Sequence, residues 1–359
     1  MRARPRSGLK AGGSSEPLAH RPPWPLGGSR LAAPLAWLYG GGVALRNLAY
    51  DRGWARCVAL PIPVLSIGNL TLGGSGKTPL VLETVELLRK VGRRPAVVSR
   101  GYGGRARGPL AIAPAAPVAA RLAGDEPVMM QRRGVPVAVG RDRVAAARLA
   151  IERFHCDVLV LDDGFQHRRL ERQVDLVVLD ASLDPERLHL LPRGLLREDW
   201  PALGRADAVL LTRTDIAPDL APWDRLLERY APRAPRFSAR HRITGLRSVQ
   251  GGTPPPGSDL VLLSAIARPD LFEADVRRLG FGVDRHFVYR DHHTFTAVEL
   301  EQAAQRARSG PGFLITTEKD WTRIPEAALA DCRVLLLEIR ELLDQPQAYL
   351  EFLRARIGS

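Results

Sequence analysis

The stretch "SIGNLTLGGSGKTPLVLETVELLRK", residues 66–90, predicts a phosphate-binding loop between a strand and a helix. Backbone N–H groups of such a loop and of the first helical turn bind phosphates, the lysine reaches the outer phosphates, and the threonine hydroxyl binds Mg²⁺. The usual spacing has a glycine at position 71, where this chain has Thr71, so the loop is a variant. The residues predicted to bind a nucleotide are Gly73, Gly74, Ser75, Gly76, Lys77 and Thr78.

Apolar strands that alternate with helices predict the fold class. The segments "PVLSIGN", "PAVVSRG", "VPVAVG", "CDVLVLDDG", "VDLVVLD" and "ADAVLLTRTD" have the composition of buried strands. Helices are predicted over residues 78–91 and over "DRVAAARLAIERF", which lies between two of these strands. This pattern indicates an α/β fold, a P-loop NTPase-like, mostly parallel sheet with helices on both faces.

A Pro- and Gly-rich stretch, "VQGGTPPPGSD" at residues 249–259, marks a boundary, beyond which the alternation of strands and helices resumes. We therefore expect a second, smaller C-terminal α/β domain. The predicted division is a disordered basic tail over 1–30, a helix over 31–55, a P-loop domain over 56–235, a linker over 236–258 and the C-terminal domain over 259–359.

The segment "LAAPLAWLYGGGVALRNLAY", residues 31–50, predicts an amphipathic helix. Its uncharged run is shorter than the roughly 20 apolar residues needed to span a bilayer. Leu31, Leu35, Leu38 and Leu45 fall near one helical face, and Trp37 and Tyr39 are aromatic residues of the kind found at membrane interfaces. A helix lying in a membrane surface fits this pattern, and so does a helix packed on the core.

The basic composition does not indicate a nucleic-acid partner. The net charge is +13, but only four of the 52 basic residues are lysines, which indicates a general preference for arginine. No Lys/Arg run with interleaved aromatic residues and no Cys/His finger spacing occurs in the sequence, so we expect no nucleic-acid binding. Where arginine is the usual cation, a remaining lysine is more often required, and Lys77 and Lys319 lie inside motifs.

A second motif, "VLVLDDGFQH", supplies carboxylates for a metal ion. Asp162 and Asp163 end an apolar strand directly before Gly164, and Gln166 follows on the same turn. P-loop proteins hold Mg²⁺ with a carboxylate at the end of a neighbouring strand. The pair therefore predicts a metal site next to the phosphate loop.

Four further clusters are weaker when each is taken alone. They are "SRGYGG" (99–104), "GDEP" (124–127), "YRDHHTF" (289–295) and "TTEKDW" (316–321). A carboxylate paired with a histidine can remove a proton from an attacking hydroxyl. Lys319 could either pair with Asp320 or reach the active site.

Seven motifs occur in order along the chain: "GNLTLGGSGKTP", "SRGYGG", "GDEP", "LDDGFQH", "LPRGLLRE", "DHH" and "TTEKD". Together with "PLAWLYG" near the start, they resemble the tetraacyldisaccharide 4′-kinase family, the lipid A 4′-kinases of Gram-negative bacteria. The resemblance implies transfer of the γ-phosphoryl group of ATP, with Mg²⁺, to the 4′-hydroxyl of a tetraacylated glucosamine disaccharide 1-phosphate. It also implies a peripheral enzyme at the cytoplasmic face of the bacterial inner membrane, with the P-loop domain as the kinase domain.

The same resemblance implies roles for individual residues. Asp125 would be the catalytic base, His292 would orient it, and Lys77 would hold the outer phosphates. The Mg²⁺ ligands would be Thr78, Glu126, Asp162 and Asp163. The residues expected near the phosphates or the acceptor are Tyr102, Arg143, Gln166 and Arg197. Arg193 and His293 receive no role.

The resemblance also bears on the alternatives. An acylated acceptor stays in the bilayer, so the helix over 31–55 is expected to be interfacial rather than a plain core helix. The alternative function is a P-loop GTPase of the metal-chaperone or transport-accessory type. Such proteins read guanine with an Asn/Thr-Lys-x-Asp loop, and "LLTRTD" (210–215) has Arg213 at the lysine position and Asp215 at its end.

Overall fold

The computed structural model describes residues 32–358 apart from 115, 117 and 311, so the predicted tail over 1–30 lies outside the described residues. The strands of the first half are β1 (Val64–Asn69), β2 (Pro95–Ser99), β3 (Leu110–Ile112), β4 (Val137–Val139), β5 (Val158–Asp162), β6 (Val174–Asp180) and β7 (Ala208–Thr212). They are followed by β8 (Arg236–Ser248), β9 (Asp259–Ser264), β10 (Gly282–Val288), β11 (Phe313–Thr317) and β12 (Arg333–Leu343).

The helices are α1 (Ala33–Asp51), α2 (Lys77–Lys90), α3 (Ala120–Ala123), α4 (Asp125–Arg132), α5 (Arg143–Phe154), α6 (Ala221–Tyr230), α7 (Pro269–Arg278), α8 (Ala297–Ser309), α9 (Glu318–Trp321) and α10 (Pro346–Ile357). Short 3-10 turns occupy Pro185–Arg187, Trp200–Arg205 and Glu326–Leu329. The two helices predicted beside the phosphate loop and between strands are α2 and α5. Asp142 caps α5 by accepting hydrogen bonds from two backbone N–H groups of its first turn.

All twelve strands form one sheet in the order β10-β9-β11-β12-β8-β7-β6-β1-β5-β2-β4-β3. The pairs from β4 through to β8 are parallel, and β3 is antiparallel to β4. Alternate residues of β5 enter two different cores: Val158 and Val160 pack in one, and Leu159 and Leu161 in the other. The sheet is therefore covered on both faces, which confirms the predicted fold class.

The prediction of a linker over 236–258 is wrong for residues 236–248, because they form β8. This strand pairs in parallel with β7 and antiparallel with β12, and so it joins the two halves of the sheet. Its sequence, "RFSARHRITGLRS", interrupts its few apolar residues with arginines and polar residues, and only Phe237 and Ala239 enter the core of the first half. A half-exposed, arginine-rich strand lacks the continuous apolar run that identified the others.

The predicted C-terminal domain is also wrong at its end, where the last helix, α10, lies. Residues 259–359 were expected to form the C-terminal domain, but α10 packs on the first half. Tyr349 and Leu353 belong to the same core as α2, and the Tyr349 hydroxyl lies 2.9 Å from Thr84 Oγ1 of that helix. The chain therefore crosses to the C-terminal half through β8 and returns through β12.

Candidate active site

The predicted phosphate loop follows β1, and α2 begins at Lys77 directly after it. Gly76 has a φ of 78°, in the left-handed region that favours glycine, and its position gives α2 its starting direction. The first N–H groups of a helix have no intrahelical partner, so this end of α2 can bind an anion. The strand, loop and helix have the arrangement predicted from the sequence.

The end of β7 supports the loop from the side. The Thr212 hydroxyl donates a hydrogen bond to the Ser75 carbonyl oxygen at 2.9 Å, and Arg213 donates to the Gly74 carbonyl oxygen at 2.8 Å. Arg213 also forms a buried ion pair with Asp180. The "LLTRTD" motif, which could have indicated guanine recognition, therefore holds the phosphate loop in place by donating hydrogen bonds to the carbonyl oxygens of that loop.

Asp215, the last residue of that motif, accepts a hydrogen bond from the backbone N–H of His241 at 3.0 Å. The carboxylate that guanine recognition would require is thus engaged with β8.

The two carboxylates after β5 lie in different environments. Ile67 of β1 is the register partner of Asp162, so the acidic turn lies next to the strand that leads to the loop. Ser99 donates a hydrogen bond to Asp162 Oδ2 at 3.0 Å, whereas Asp162 Oδ1 has no hydrogen-bond partner among the described residues. Burial, with added repulsion from Glu126 and Asp163, raises the pKa of Asp162 to about 7.

Asp163 is held by two cations. Arg197 Nη1 lies 2.9 and 2.7 Å from its two carboxylate oxygens, and Lys77 Nζ lies 3.4 Å from Oδ1. Burial alone would raise the pKa of Asp163, but Lys77 and Arg197 hold it well below its usual range. The predicted phosphate-binding lysine and one predicted metal ligand are therefore in contact.

Two more of the predicted substrate residues support this acidic turn. Arg143 is buried and donates a hydrogen bond to the Asp162 carbonyl oxygen at 3.0 Å, and burial lowers its pKa. Gln166 donates to the Asn69 carbonyl oxygen at 3.0 Å. These contacts fix the turn between β5 and the loop, and a role of either side chain in substrate binding stays a prediction.

The candidate base meets its histidine across the two halves of the protein. Asp125 begins α4 and is buried, and its Oδ2 lies 2.9 Å from Nδ1 of His292, which follows β10. Tyr102 completes this contact, since its ring centroid is 5.1 Å from that of His292. Asp125 and His292 are 167 positions apart in the chain, so the fold alone brings them together.

A glycine allows the "SRGYGG" and "GDEP" loops to approach each other. Gly124 has a φ of 96°, and a Cβ atom at this position would lie 2.5 Å from the Tyr102 carbonyl oxygen. A side chain there would push Asp125 away from Tyr102 and His292.

Lys319 lies in the same cluster, and it contacts the active-site groups rather than Asp320. Its Nζ is 3.1 Å from Asp291 Oδ1, 3.3 Å from His292 Nε2 and 3.7 Å from Glu126 Oε1. Burial alone would lower its pKa, but the carboxylates of Glu126 and Asp291 outweigh this and raise it. The ammonium group is therefore charged and links α4 to the C-terminal half.

Sequence reasoning missed Arg323, whose guanidinium group is buried beside the base. Arg323 Nε lies 3.4 Å from Asp125 Oδ2, and the same side chain forms an ion pair with Asp320. Its position two residues after "TTEKDW" was the one available signal, and one arginine among 48 carries little information. His293, by contrast, stacks on Tyr289 and contacts Glu299 at 3.0 Å.

Asp162, one of the residues expected to bind Mg²⁺, has a carboxylate oxygen that fits that ion. Among the described residues no group of three His, Cys, Asp or Glu side chains forms a metal cage. Mg²⁺ is usually bound by one or two carboxylates together with substrate phosphates and water, so a full protein cage is not required. The unpartnered Oδ1 of Asp162 at the end of β5 is such a carboxylate oxygen.

The structure has the features of a P-loop nucleotide-binding α/β protein. The sheet is mostly parallel, a glycine-rich loop precedes a helix that starts with lysine and threonine, and an acidic pair ends the neighbouring strand. The family described as Tetraacyldisaccharide-1-P 4′-kinase matches residues 28–358. The chain therefore belongs to the tetraacyldisaccharide 4′-kinase family, as the sequence motifs predicted.

Individual relatives agree with this assignment. The chain is 40% identical over 306 residues to a tetraacyldisaccharide 4′-kinase of Halorhodospira halophila, which covers 84% of this chain and 86% of the relative. It is 42% identical over 323 residues to one of Anaeromyxobacter dehalogenans, with 86% and 85% covered. The fold matches the "apo" form of LpxK from Aquifex aeolicus in complex with ATP, with a TM-score of 0.75, 27% identity and coverage of 91% and 99%. The GTPase alternative is not favoured.

Proposed function

We propose that this protein transfers the γ-phosphoryl group of ATP to the 4′-hydroxyl of a tetraacylated glucosamine disaccharide 1-phosphate. The family assignment supports the reaction, and the 2.9 Å contact between Asp125 and His292 carries its chemistry. Phosphoryl transfer requires a positioned nucleophile and charge stabilisation more than covalent catalysis. The Asp125 carboxylate on one half and the His292 imidazole on the other would position the nucleophile.

In this proposal Asp125 accepts the proton of the acceptor hydroxyl, and Lys319 sets the tautomer of His292. An ammonium group can only donate hydrogen bonds, so the contact between Lys319 Nζ and His292 Nε2 makes Nε2 the acceptor. The proton of the neutral ring then lies on Nδ1, where it is donated to Asp125 Oδ2. The imidazole thus holds one carboxylate oxygen and orients the other towards the substrate.

Lys77 and the loop amides bind the outer phosphates. The Lys77 ammonium group is 3.4 Å from Asp163, which Arg197 also binds. Because Arg197 remains paired with Asp163, Lys77 can turn towards a phosphate without leaving that half-buried carboxylate unpaired. Thr78, Asp162, Asp163 and Glu126 would hold Mg²⁺, which would neutralise charge on the β- and γ-phosphates.

We further propose that α1 binds the protein to the cytoplasmic face of the inner membrane, where the acceptor resides. No helix in the described part of the chain is long and apolar enough to cross a membrane. On α1, Trp37 is 79% exposed, Leu38 63% and Leu45 64%. Large apolar side chains exposed on one helix are typical of interfacial binding.

Other side chains of α1 form hydrogen bonds with Arg197 and Glu198, next to the candidate active site. The Tyr39 hydroxyl donates a hydrogen bond to the Arg197 carbonyl oxygen at 2.8 Å, and Asn47 Nδ2 donates to Glu198 Oε2 at 2.6 Å. Since the Arg197 side chain binds Asp163, the membrane-facing helix and the metal-binding turn share one loop. A lipid reaching α1 from the bilayer would therefore arrive next to the phosphates.

The test is a phosphoryl-transfer assay with γ-labelled ATP and the acylated disaccharide 1-phosphate. We expect label on the 4′-hydroxyl, and Asp125→Asn should lose transfer while it keeps its thermal unfolding temperature. Release of labelled phosphate from GTP without any acceptor would contradict the proposal and support a GTPase.

A further inference from the structure

A buried histidine lies between two buried carboxylates where β8 and β12 join the halves of the sheet. His241 of β8 is directly opposite Glu341 of β12. His241 Nε2 is 2.8 Å from Asp275 Oδ2 of α7, and Nδ1 is 3.5 Å from Glu341 Oε1. The three side chains are 7%, 2% and 1% exposed, respectively, and the mechanism proposed above uses none of them.

Glu341 lies against the backbone of the phosphate loop. A Cβ atom built on Gly76 would be 2.8 Å from Glu341 Oε1, so the carboxylate contacts the residue that immediately precedes α2. Its other oxygen, Oε2, has no hydrogen-bond partner among the described residues. A buried carboxylate therefore lies next to the backbone that is to receive a triphosphate.

When it is ionised, the Glu341 carboxylate opposes the binding of a triphosphate unless a cation neutralises it, because charges interact strongly where water is excluded. Burial alone would lower the pKa of His241, but its contacts with Asp275 and Glu341 raise it to about 9. Of the described charged residues around the cluster, Arg278 lies 3.1 Å from Asp275 Oδ1, and Asp215 accepts a hydrogen bond from the His241 N–H.

We propose that His241 is a positioning residue of the nucleotide site: as a cation it neutralises Glu341 beside Gly76 and thereby sets the affinity of the loop for a triphosphate. Because Asp275 belongs to the C-terminal half, the same histidine connects that half to the loop. The inference rests on the proposed ATP site, so each effect is measured against the unaltered protein. If the unaltered protein did not bind ATP, the proposed function would fail instead.

The experiment measures the Kd of a non-hydrolysable ATP analogue with Mg²⁺ by calorimetry near neutral pH. We expect His241→Gln to raise the Kd about tenfold, a typical coupling between neighbouring sites, with the acceptor KM unchanged. The double variant His241→Gln/Glu341→Gln should return to within about threefold of the unaltered protein, because it removes the uncompensated charge. Arg247→Gln is the matched control, since Arg247 contacts Glu338 at 2.8 Å between the same two strands.

An unchanged Kd in a folded His241→Gln variant, or a double variant that binds no better, would overturn the proposal. If His241→Gln does not fold, a pH series compares the unaltered protein with Glu341→Gln. A raised pKa means that the proton is present below about pH 9 and lost above it. The Kd should then rise about tenfold from about pH 8 to about pH 10 in the unaltered protein and stay flat in Glu341→Gln. The same slope in both would refute the role of His241.

Discussion

Replacing the exposed leucines of α1 should detach the protein from membranes while leaving its chemistry intact. Leu38 and Leu45 are seven residues apart on one face of α1 and are 63% and 64% exposed. Full burial of a leucine is worth about 1.5–3 kcal/mol, so the exposed part of each can contribute about 1–2 kcal/mol on insertion. Together they contribute about 2–4 kcal/mol, and Leu38→Ser/Leu45→Ser should weaken membrane binding about 30-fold or more.

The assay is sedimentation with vesicles that contain anionic phospholipid, alongside kinetics on detergent-dispersed acceptor. Transfer in detergent should stay within about threefold, because α1 contacts the site through Tyr39 and Asn47 on its other side. Val298→Ser is the matched control, since Val298 is 66% exposed and belongs to α8 instead of α1. Unchanged vesicle binding by the double variant, or an equal loss in the control, would refute the interfacial role of α1.

Three further substitutions test separate contacts. Lys77→Ala should reduce transfer to background without lowering the unfolding temperature, and retained turnover would remove the phosphate-loop assignment. Lys319→Met should lower kcat about 10- to 100-fold and leave the ATP KM unchanged, because His292 loses the donor that fixes its tautomer, and a pure KM effect would contradict this reasoning. Tyr349→Ala should reduce the free energy of unfolding by about 3–5 kcal/mol in a denaturant titration, as for other buried aromatic residues, and a loss below about 1 kcal/mol would place α10 outside the first core.

Local sequence was sufficient for the elements that decide the fold. The glycine loop, the acidic pair and the apolar strands of the first half are short-range signals, and each carries its own physical reason. The sequence does not predict β8 because exposed arginines and polar residues interrupt its apolar residues, and it assigns α10 to the wrong half because no local signal says where a terminal helix packs. Such choices depend on which surfaces remain uncovered after the sheet has formed.

The candidate site also has residues that local sequence predicts and contacts that it does not. Lys77, Asp162 and Asp163 could be found from spacing along two adjacent elements. The different partners of the two carboxylates could not, because Asp163 takes its cations from α2 and from the distant loop that carries Arg197. The pairing of Asp125 with His292 came from the family resemblance, since no local pattern connects residues in different halves of the protein.

If Asp125 and His292 act as one unit from opposite halves of the protein, a double-mutant cycle on kcat will show it. Single Asp125→Asn and His292→Asn variants should each lose about 100- to 10,000-fold, the range of a positioned base. His293→Asn, the neighbouring histidine stacked on Tyr289, should stay within about threefold. We expect the double variant to be no slower than Asp125→Asn, because the histidine has nothing left to orient. Losses that multiply in the double variant would contradict this expectation.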